Sequence, residues 1–440
     1  MRVMLVQSIS VESSVNERVY PIGIVALAGV LRRAGHEVGI LDMNMSSDPF
    51  SALKKLLLEF APDAVGLSLR NIDPLGNKTT SFAPHFITAV KVVADLLPDA
   101  WIIAGGTGFS LFPERLMREL PEIDFGIVGE AEESLPALLS SPGNPPAVKG
   151  LCVRKKSGIS VAAPSADFDM AEYGTHDYSL LQPSLYQGIN SYVPAVGIET
   201  KRGCPYSCAY CVYPALQGRR PRCRPPQKVV DEMEFLHKEY GIESFHFTDP
   251  VANIPENHLE DICDEIILRK LKIKWDGFMR EDRLNEKNIA LFEKAGCECF
   301  SFSPDGLSGK ALEALNKGLS YSDILKASKL ASKTDVISVY HFMVNVPGET
   351  AGSRSQALRT IETIYNMHSA KRNLGTVVLN NIRILPGTRI EGLARAEGAI
   401  GADTDLLYPV YYNPRPFDAM RHELETLHHC RNTFMWQGIL

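Results

Sequence analysis

The chain has 440 residues, 45% of them apolar and 22% charged, and a formal net charge of −6, the proportions of a folded protein of two or three domains. A net acidic balance argues against the basic face of a nucleic-acid binder, and no stretch approaches the ~20 apolar residues of a membrane span. Nine cysteines, an odd number with three tightly clustered, do not form a disulfide framework, and the apolar run at Met1–Gln7 is too short for a signal peptide, so a cytoplasmic location is expected.

The first 140 residues alternate strand and helix patterns. Strands are predicted at Arg2–Gln7, Glu37–Asp42, Ala64–Ser68, Trp101–Ala104 and Phe125–Val128. Helices are predicted at Ile22–Ala34, Pro49–Glu59, His85–Leu97, Pro113–Leu120 and Glu132–Leu139. This α/β rhythm describes a doubly wound, Rossmann-like parallel sheet over residues 1–140. The run Ser140-Ser141-Pro142-Gly143-Asn144-Pro145-Pro146 opens a linker, placed at 141–191, with a short strand near Gly150–Lys155.

The rhythm returns over 192–398. Strands are expected at Ala195–Thr200, Ser244–Thr248, Lys274–Met279, Cys299–Ser303, Val336–Val346 and Thr376–Ile384, with helices between them. Six such units suit a partial (β/α)6 barrel of the TIM type, whose sites lie at the C-terminal strand ends. Residues 399–440 are less regular and read as a small C-terminal capping segment.

The sharpest motif follows the first barrel strand, where Cys204, Cys208 and Cys211 stand in a C-x3-C-x2-C pattern. Three thiolates on one loop suit three irons of a cubane cluster and leave the fourth iron open. A closed zinc site needs a fourth ligand, for which Cys223 is the nearest candidate at an atypical spacing. The basic run Arg219-Arg220-Pro221-Arg222-Cys223-Arg224 faces either an anionic ligand or solvent.

The cysteine motif, with Tyr210 before the third cysteine, resembles the signature of the radical S-adenosylmethionine (SAM) superfamily over roughly 192–398. The resemblance implies a [4Fe–4S] cluster on Cys204, Cys208 and Cys211, with SAM chelating the open iron and cleaving to methionine and a 5′-deoxyadenosyl radical. It places Asp249 near the SAM amino group, unless Asp249 is a helix cap. It places Arg280 near the SAM carboxylate and Asp305 where relatives carry a glutamate. Pro347, Gly348 and Pro386 mark the loops after the fifth and sixth strands, beside the adenosine or as plain turns.

A doubly wound sheet ahead of such a barrel resembles the cobalamin-binding domain of B12-dependent radical SAM enzymes. The resemblance rests on Tyr20-Pro21-Ile22-Gly23, Ser68-Leu69-Arg70-Asn71, Ala104-Gly105-Gly106-Thr107-Gly108 and Gly129-Glu130-Ala131-Glu132. It implies that Gly105, Gly106, Thr107 and Gly108 line the cofactor's tail, with Gly129 and Glu130 beside them. Arg70 and Asn71 fall near the corrin or the lower face of cobalt. No Asp-x-His-x-x-Gly is present, so no protein histidine is expected on cobalt. A domain that binds another nucleotide, or nothing, is the alternative.

The resemblance implies C-methylation of an unactivated carbon, using methylcobalamin and the radical. Oxidative cyclisation or ring rearrangement is the second reading, and a cofactor-binding sensor without turnover the third. A small-molecule or lipid substrate and an external electron donor such as flavodoxin or ferredoxin complete the expectation. The tail motif His428-His429-Cys430 suggests a metal half-site, and Tyr408–Pro414 either a pocket wall or a surface strap.

Overall fold

The computed structural model describes residues 1–12, 17–74, 79–173 and 176–412, together with the backbone of 433–435. The His428-His429-Cys430 motif, Asn413, Pro414 and most of the expected capping segment lie outside the described residues.

The first domain contains β1 (Arg2–Gln7), α1 (Ile22–Arg33), β2 (Glu37–Asp42), α2 (Pro49–Phe60), β3 (Ala64–Ser68), α3 (Ala83–Leu96), β4 (Trp101–Gly105), α4 (Thr107–Leu111), α5 (Pro113–Glu119), β5 (Phe125–Ile127) and α6 (Ser134–Ser140). The strands lie in the order β2-β1-β3-β4-β5, all parallel. Their near-continuous apolar runs follow from burial on both faces. One face packs on α2 and α3 through Leu53, Leu57, Phe86 and Val90, the other on α1 and α6 through Ala28, Leu31 and Leu138.

The expected linker is part of this domain. β6 (Leu151–Lys155) and β7 (Gly158–Val161) form an antiparallel hairpin that extends the sheet from β5, with Phe125 opposite Val153 and Cys152 opposite Val161. The remaining linker ties the two domains together. Tyr186 donates to Asp42 Oδ2 at 2.7 Å, Tyr20 to the Leu181 carbonyl at 2.6 Å, and the three rings of Tyr20, Tyr178 and Tyr186 pack into the barrel's core cluster.

The second domain runs through β8 (Gly197–Ile198), β9 (Lys201–Arg202), α7 (Tyr213–Gln217), β10 (Arg222–Cys223), α8 (Pro226–Tyr240), β11 (Ser244–Phe247), α9 (His258–Leu268), β12 (Lys274–Met279), α10 (Glu286–Lys294), β13 (Cys297–Asp305), α11 (Gly309–Ala314), α12 (Tyr321–Ala331), β14 (Ile337–Met343), α13 (Ala351–His368), β15 (Leu374–Asn380), β16 (Ile382–Arg383), α14 (Arg389–Ala396), β17 (Tyr411–Tyr412) and β18 (Thr433–Met435). The parallel order is β8-β11-β12-β13-β14-β15-β18, a partial barrel with one strand more than expected.

The first and sixth barrel strands are cut short for identifiable reasons. The first stops at Ile198, because the Thr200 amide is drawn to Asp249 Oδ1 at 2.8 Å, and Lys201 and Arg202 turn to pair antiparallel with β10. The sixth breaks at Asn381, after which β16 pairs with Tyr411 and Tyr412. Those two tyrosines are buried, and Tyr412 donates to Glu397 at 2.6 Å, so this part of the aromatic run is not a surface strap.

Candidate functional site

The carboxyl edge of the first sheet faces the barrel across a cavity of about 460 Å³. Its wall takes Gln7, Ser68, Arg70, Gly105, Gly106, Thr107, Gly129 and Glu130 from the first domain. The barrel side contributes Glu199, Arg202, Tyr213, His246, Thr248 and Phe278, and the connecting segment adds Tyr192 and Pro194. Ligands of open parallel sheets bind at this edge. The first turn of α1, at Pro21–Ile24, also opens onto it and holds no acidic residue, a polarity that favours anionic groups.

The glycines of the expected tail-binding turn divide by role. Gly105 and Gly106 line the cavity, whereas Gly108 is buried away from the wall. A Cβ at Gly106 would stand 2.6 Å from the Leu69 carbonyl, and at Gly108 2.9 Å from the same oxygen, so both let α4 close onto the loop after β3. Gly108 thus serves the packing of α4 onto that loop. Asn71 likewise lies outside the wall, whereas Arg70 points into it, and the protein around its guanidinium lowers its pKa.

An ion cluster joins the domains at the cavity rim. Arg202 reaches Glu132 at 2.6 Å, Glu199 at 2.9 Å and Glu130 at 3.4 Å, and its guanidinium lies 5.0 Å from the Tyr173 ring. Arg222 forks onto Glu130 at 2.6 and 3.0 Å, and Arg224 reaches Glu232 at 2.5 Å. These arginines of the basic run are therefore paired, neither facing solvent nor awaiting an anion. Glu130, expected at the cofactor, spends both oxygens on Arg222 and on the Phe168 amide.

The cysteine loop leaves β9 and is clamped on several sides. The Cys204 amide donates to Gly218, the Ala209 amide to Leu315 at 2.8 Å, and the Ile390 amide at the start of α14 to Ala209 at 3.0 Å. Asn316 Nδ2 holds the Ser207 carbonyl at 2.7 Å. Burial raises the Cys208 and Cys211 thiols, and each is raised further by the neighbouring cysteines, which places the three within electrostatic reach of one another. Lys317 works against the rise at both, and Arg280 at Cys208. Among the described residues no three Cys, His, Asp or Glu side chains close around a single ion. Three thiols on one loop, without a fourth ligand among the described residues, suit three irons of a cubane cluster.

The acidic and basic candidates around the loop differ from expectation. Asp249 is buried and saturated: Oδ1 accepts from the Thr200 and Lys201 amides at 2.8 and 3.1 Å, and Oδ2 from Thr200 Oγ1 at 2.5 Å and Lys201 Nζ at 2.7 Å. No lone pair is left for SAM, and the cap of α9 is Asn257, so Asp249 instead anchors the strand that enters the cysteine loop. Arg280 is also committed. Its two terminal nitrogens donate to the Lys317 and Gly318 carbonyls at 2.9 and 2.8 Å, Nε lies 2.8 Å from Asp282, and the guanidinium sits 3.7 Å from the Tyr206 ring. It braces the loop through these carbonyls, and its Nε makes no well-aligned hydrogen bond among the described residues.

Asp305 occupies a left-handed conformation (φ 63°) and accepts from Tyr210 Oη and from Lys317 Nζ at 2.6 Å, while Lys317 also reaches Tyr210 at 3.1 Å. Pro347 is buried in the loop after β14, Gly348 is exposed with φ 74°, and Pro386 is half-buried in the turn before α14.

Sequence reasoning missed Lys317 and Glu281. Glu281 is buried beside Lys317, Asp305 and Arg280; its own amide aside, no protein donor among the described residues reaches its carboxylate, and burial pushes it up to about 7. Its only sequence signal is its place at the end of a barrel strand, next to Arg280. Among the described residues no helix is long and apolar enough to cross a membrane.

A doubly wound domain thus presents a cavity to a parallel barrel beside a three-cysteine loop. The family model for the B12 binding domain matches residues 11–139, and that for the Radical SAM superfamily residues 198–361. The chain belongs to the cobalamin-dependent radical SAM enzymes, whose cofactors are cobalamin, a [4Fe–4S] cluster and SAM. It is 28% identical over 334 residues to an uncharacterized methyltransferase of Pyrococcus horikoshii, covering 75% of this chain and 70% of the relative. It is 25% identical to the anaerobic magnesium-protoporphyrin IX monomethyl ester cyclase of Synechocystis, covering 73% of this chain but only 64% of that protein's length. The fold matches that of the radical SAM methyltransferase TsrM from Kitasatospora setae, solved with cobalamin and a [4Fe–4S] cluster bound, with a TM-score of 0.74, 23% identity, and coverage of 92% of this chain and 76% of that one.

Proposed function

We propose that the protein is a methyltransferase acting on an unactivated carbon, with cobalamin in the cavity between the domains and the cluster on Cys204, Cys208 and Cys211. The observation that carries this reading is the shared wall. Gly105, Gly106 and Arg70 of the first domain face the same space as Glu199, Arg202 and Tyr213, which flank the cysteine loop. When bound, cobalamin supplies a methyl carrier, and the cluster with SAM supplies hydrogen-atom abstraction.

The chain's own residues orient and shield. Arg202, Glu130, Glu132 and Glu199 hold the two domains at a fixed separation, as reaction between two bound groups requires. Gly105, Gly106, Thr107 and Gly129 would lie along the cofactor tail, and Arg70 would face the corrin. Tyr210, Asp305 and Lys317 stiffen the cysteine loop from inside the barrel. The unpartnered Glu281 carboxylate suits the cationic end of SAM, and the turns at Pro347, Gly348 and Pro386 would border its adenosine. Tyr192, Pro194 and Phe278 exclude water from the space between. Turnover requires an external one-electron donor of the flavodoxin or ferredoxin kind. The eight described cysteines are all unpaired, which supports a reducing, cytoplasmic setting.

A second reading, oxidative cyclisation, is favoured by the likeness to the cyclase. Anaerobic reconstitution with iron, sulfide and hydroxocobalamin tests both. About four irons and one cobalt per chain are expected, and the Cys204→Ala/Cys208→Ala/Cys211→Ala variant should lose the iron and keep the cobalt. Product mass then separates the readings, a gain of CH2 for methylation against a loss of hydrogen for cyclisation. Iron retained in the triple variant, or no cobalt in the wild type, overturns the assignment.

A further inference from the structure

Alternation along the barrel strands turns a group of polar side chains inward that the cofactor regions do not use. His246 on β11 and Asp276 on β12 are register partners, and their side chains meet across the two strands with His246 Nδ1 2.5 Å from Asp276 Oδ1. Asp276 is buried, whereas the His246 ring, 14% exposed, stands in the wall of the interdomain cavity. A carboxylate only accepts, so Asp276 orients an imidazole N–H on Nδ1, and the neutral ring in that tautomer presents Nε2 as a lone-pair acceptor. No protein hydrogen bond reaches that Nε2 among the described residues.

The surroundings shape a chamber around this acceptor. The Phe278 ring stands edge-on to His246 at 6.1 Å and 5.6 Å from His341, and Tyr192 Oη lies 2.6 Å from His341 Nε2. Burial lowers His341 to about 4, so it stays neutral. A second cavity of about 670 Å³ lies at the opposite, N-terminal mouth of the barrel, with Asp276 and Cys299 in its wall. Segment Tyr192–Ala195 borders both cavities. The His246–Asp276 pair thus stands between them, with its free nitrogen on the side where cobalamin and substrate must meet.

We propose that His246, positioned by Asp276, is the specificity-determining acceptor for the substrate, and that the substrate is a small molecule presenting an N–H or O–H donor, not a wholly hydrocarbon lipid. The inference rests on the two-cofactor reading above. Such a donor would pair with Nε2, which no protein group reaches among the described residues. A ligand of the same shape lacking the donor would leave a desolvated nitrogen unpaired, and sites built on hydrogen bonds discriminate most strongly in this way.

The test uses the anaerobically reconstituted holoenzyme and shape-matched probe pairs, indole with indene and phenol with fluorobenzene. Binding is followed by the shift each probe causes in the visible spectrum of the bound cobalamin. The donor member of each pair should bind about tenfold tighter to the wild type. His246→Phe should abolish that preference without changing iron or cobalt content. Asp276→Asn, which keeps the shape but no longer dictates the tautomer, should reduce it, and decides the matter if His246→Phe does not fold. Equal affinity within each pair, no binding of either member, or a preference that survives both substitutions overturns the proposal. Failure of the underlying cofactor reading is read separately, as missing iron or cobalt in the wild type.

Discussion

Replacing Asp249 by Ala decides whether that carboxylate serves SAM or the fold. The substitution would leave the Lys201 ammonium, 1% exposed, with only the Ala252 carbonyl at 2.9 Å, and would strip the Thr200 and Lys201 amides of their acceptor. Breaking a buried pair from one side costs about 3–5 kcal/mol, which lowers the melting temperature of a domain of this size by roughly 6–20 °C. Because the strand that loses its anchor leads directly into Cys204, iron uptake on reconstitution should fall in parallel. Removing both charges in Asp249→Ala/Lys201→Met should recover much of the stability, since no ion is then stranded, and the double-mutant cycle should show coupling above about 1 kcal/mol. Thermal unfolding, iron analysis and equilibrium dialysis of SAM are the assays. A single variant that melts like the wild type and loads its iron, yet no longer binds SAM, would refute the reasoning and restore Asp249 as a SAM ligand.

Gly106→Ala should destabilise the first domain by at least about 1–3 kcal/mol, because φ 93° and ψ 167° form a region nearly closed to other residues and the new Cβ would stand 2.6 Å from Leu69 O. Gly105→Ala, whose Cβ meets only Ile127 O at 3.7 Å, should stay within about 0.5 kcal/mol. Urea unfolding and cobalt content compare the two, and equal effects would mean that backbone conformation is not what these positions require. Glu232 is held below the ordinary glutamate range despite its burial, by Arg224, by His176 at 3.1 Å and by Tyr178. A depressed native carboxylate stabilises above its unfolded value of 4.5 and loses that contribution as pH falls through the native value. Glu232→Gln should therefore cost about 3–5 kcal/mol near neutral pH by stranding Arg224, and its gap from the wild type should narrow as the pH drops below 4.5. A gap that is flat or widens on acidification in urea titrations would remove the ion pair as its source.

Local periodicity carried most of the architecture. The strand–helix alternation, the cysteine spacing and the glycine turn after Ala104 are patterns within a dozen or so residues, and each reappears in the structure as a parallel sheet, a loop at a strand end and a cavity wall. The strand near Gly150–Lys155 was legible, but its partner Gly158–Val161 and their place in the first sheet were hidden because the strands are short and half polar and follow a proline-rich run. Side-chain roles were hidden for a different reason. An acid at a strand end looks the same in sequence whether it awaits a ligand or is already consumed, and the groups that consume Asp249 lie 48 and 49 residues earlier in the chain. The partners of Arg202 at Glu130 and Glu132 are similarly remote. Strand alternation, however, holds information that motif matching leaves unused. In Ser244-Phe245-His246-Phe247 the two phenylalanines are buried against the core and the histidine faces the other way, and in Trp275-Asp276-Gly277-Phe278 the tryptophan is buried and the aspartate faces the other way. Period two alone therefore turns His246 and Asp276 to the same face of neighbouring strands. A pair turned to the inside of the barrel, with one imidazole nitrogen unbonded to protein among the described residues and facing a cavity, is a position at which a ligand gains by arriving.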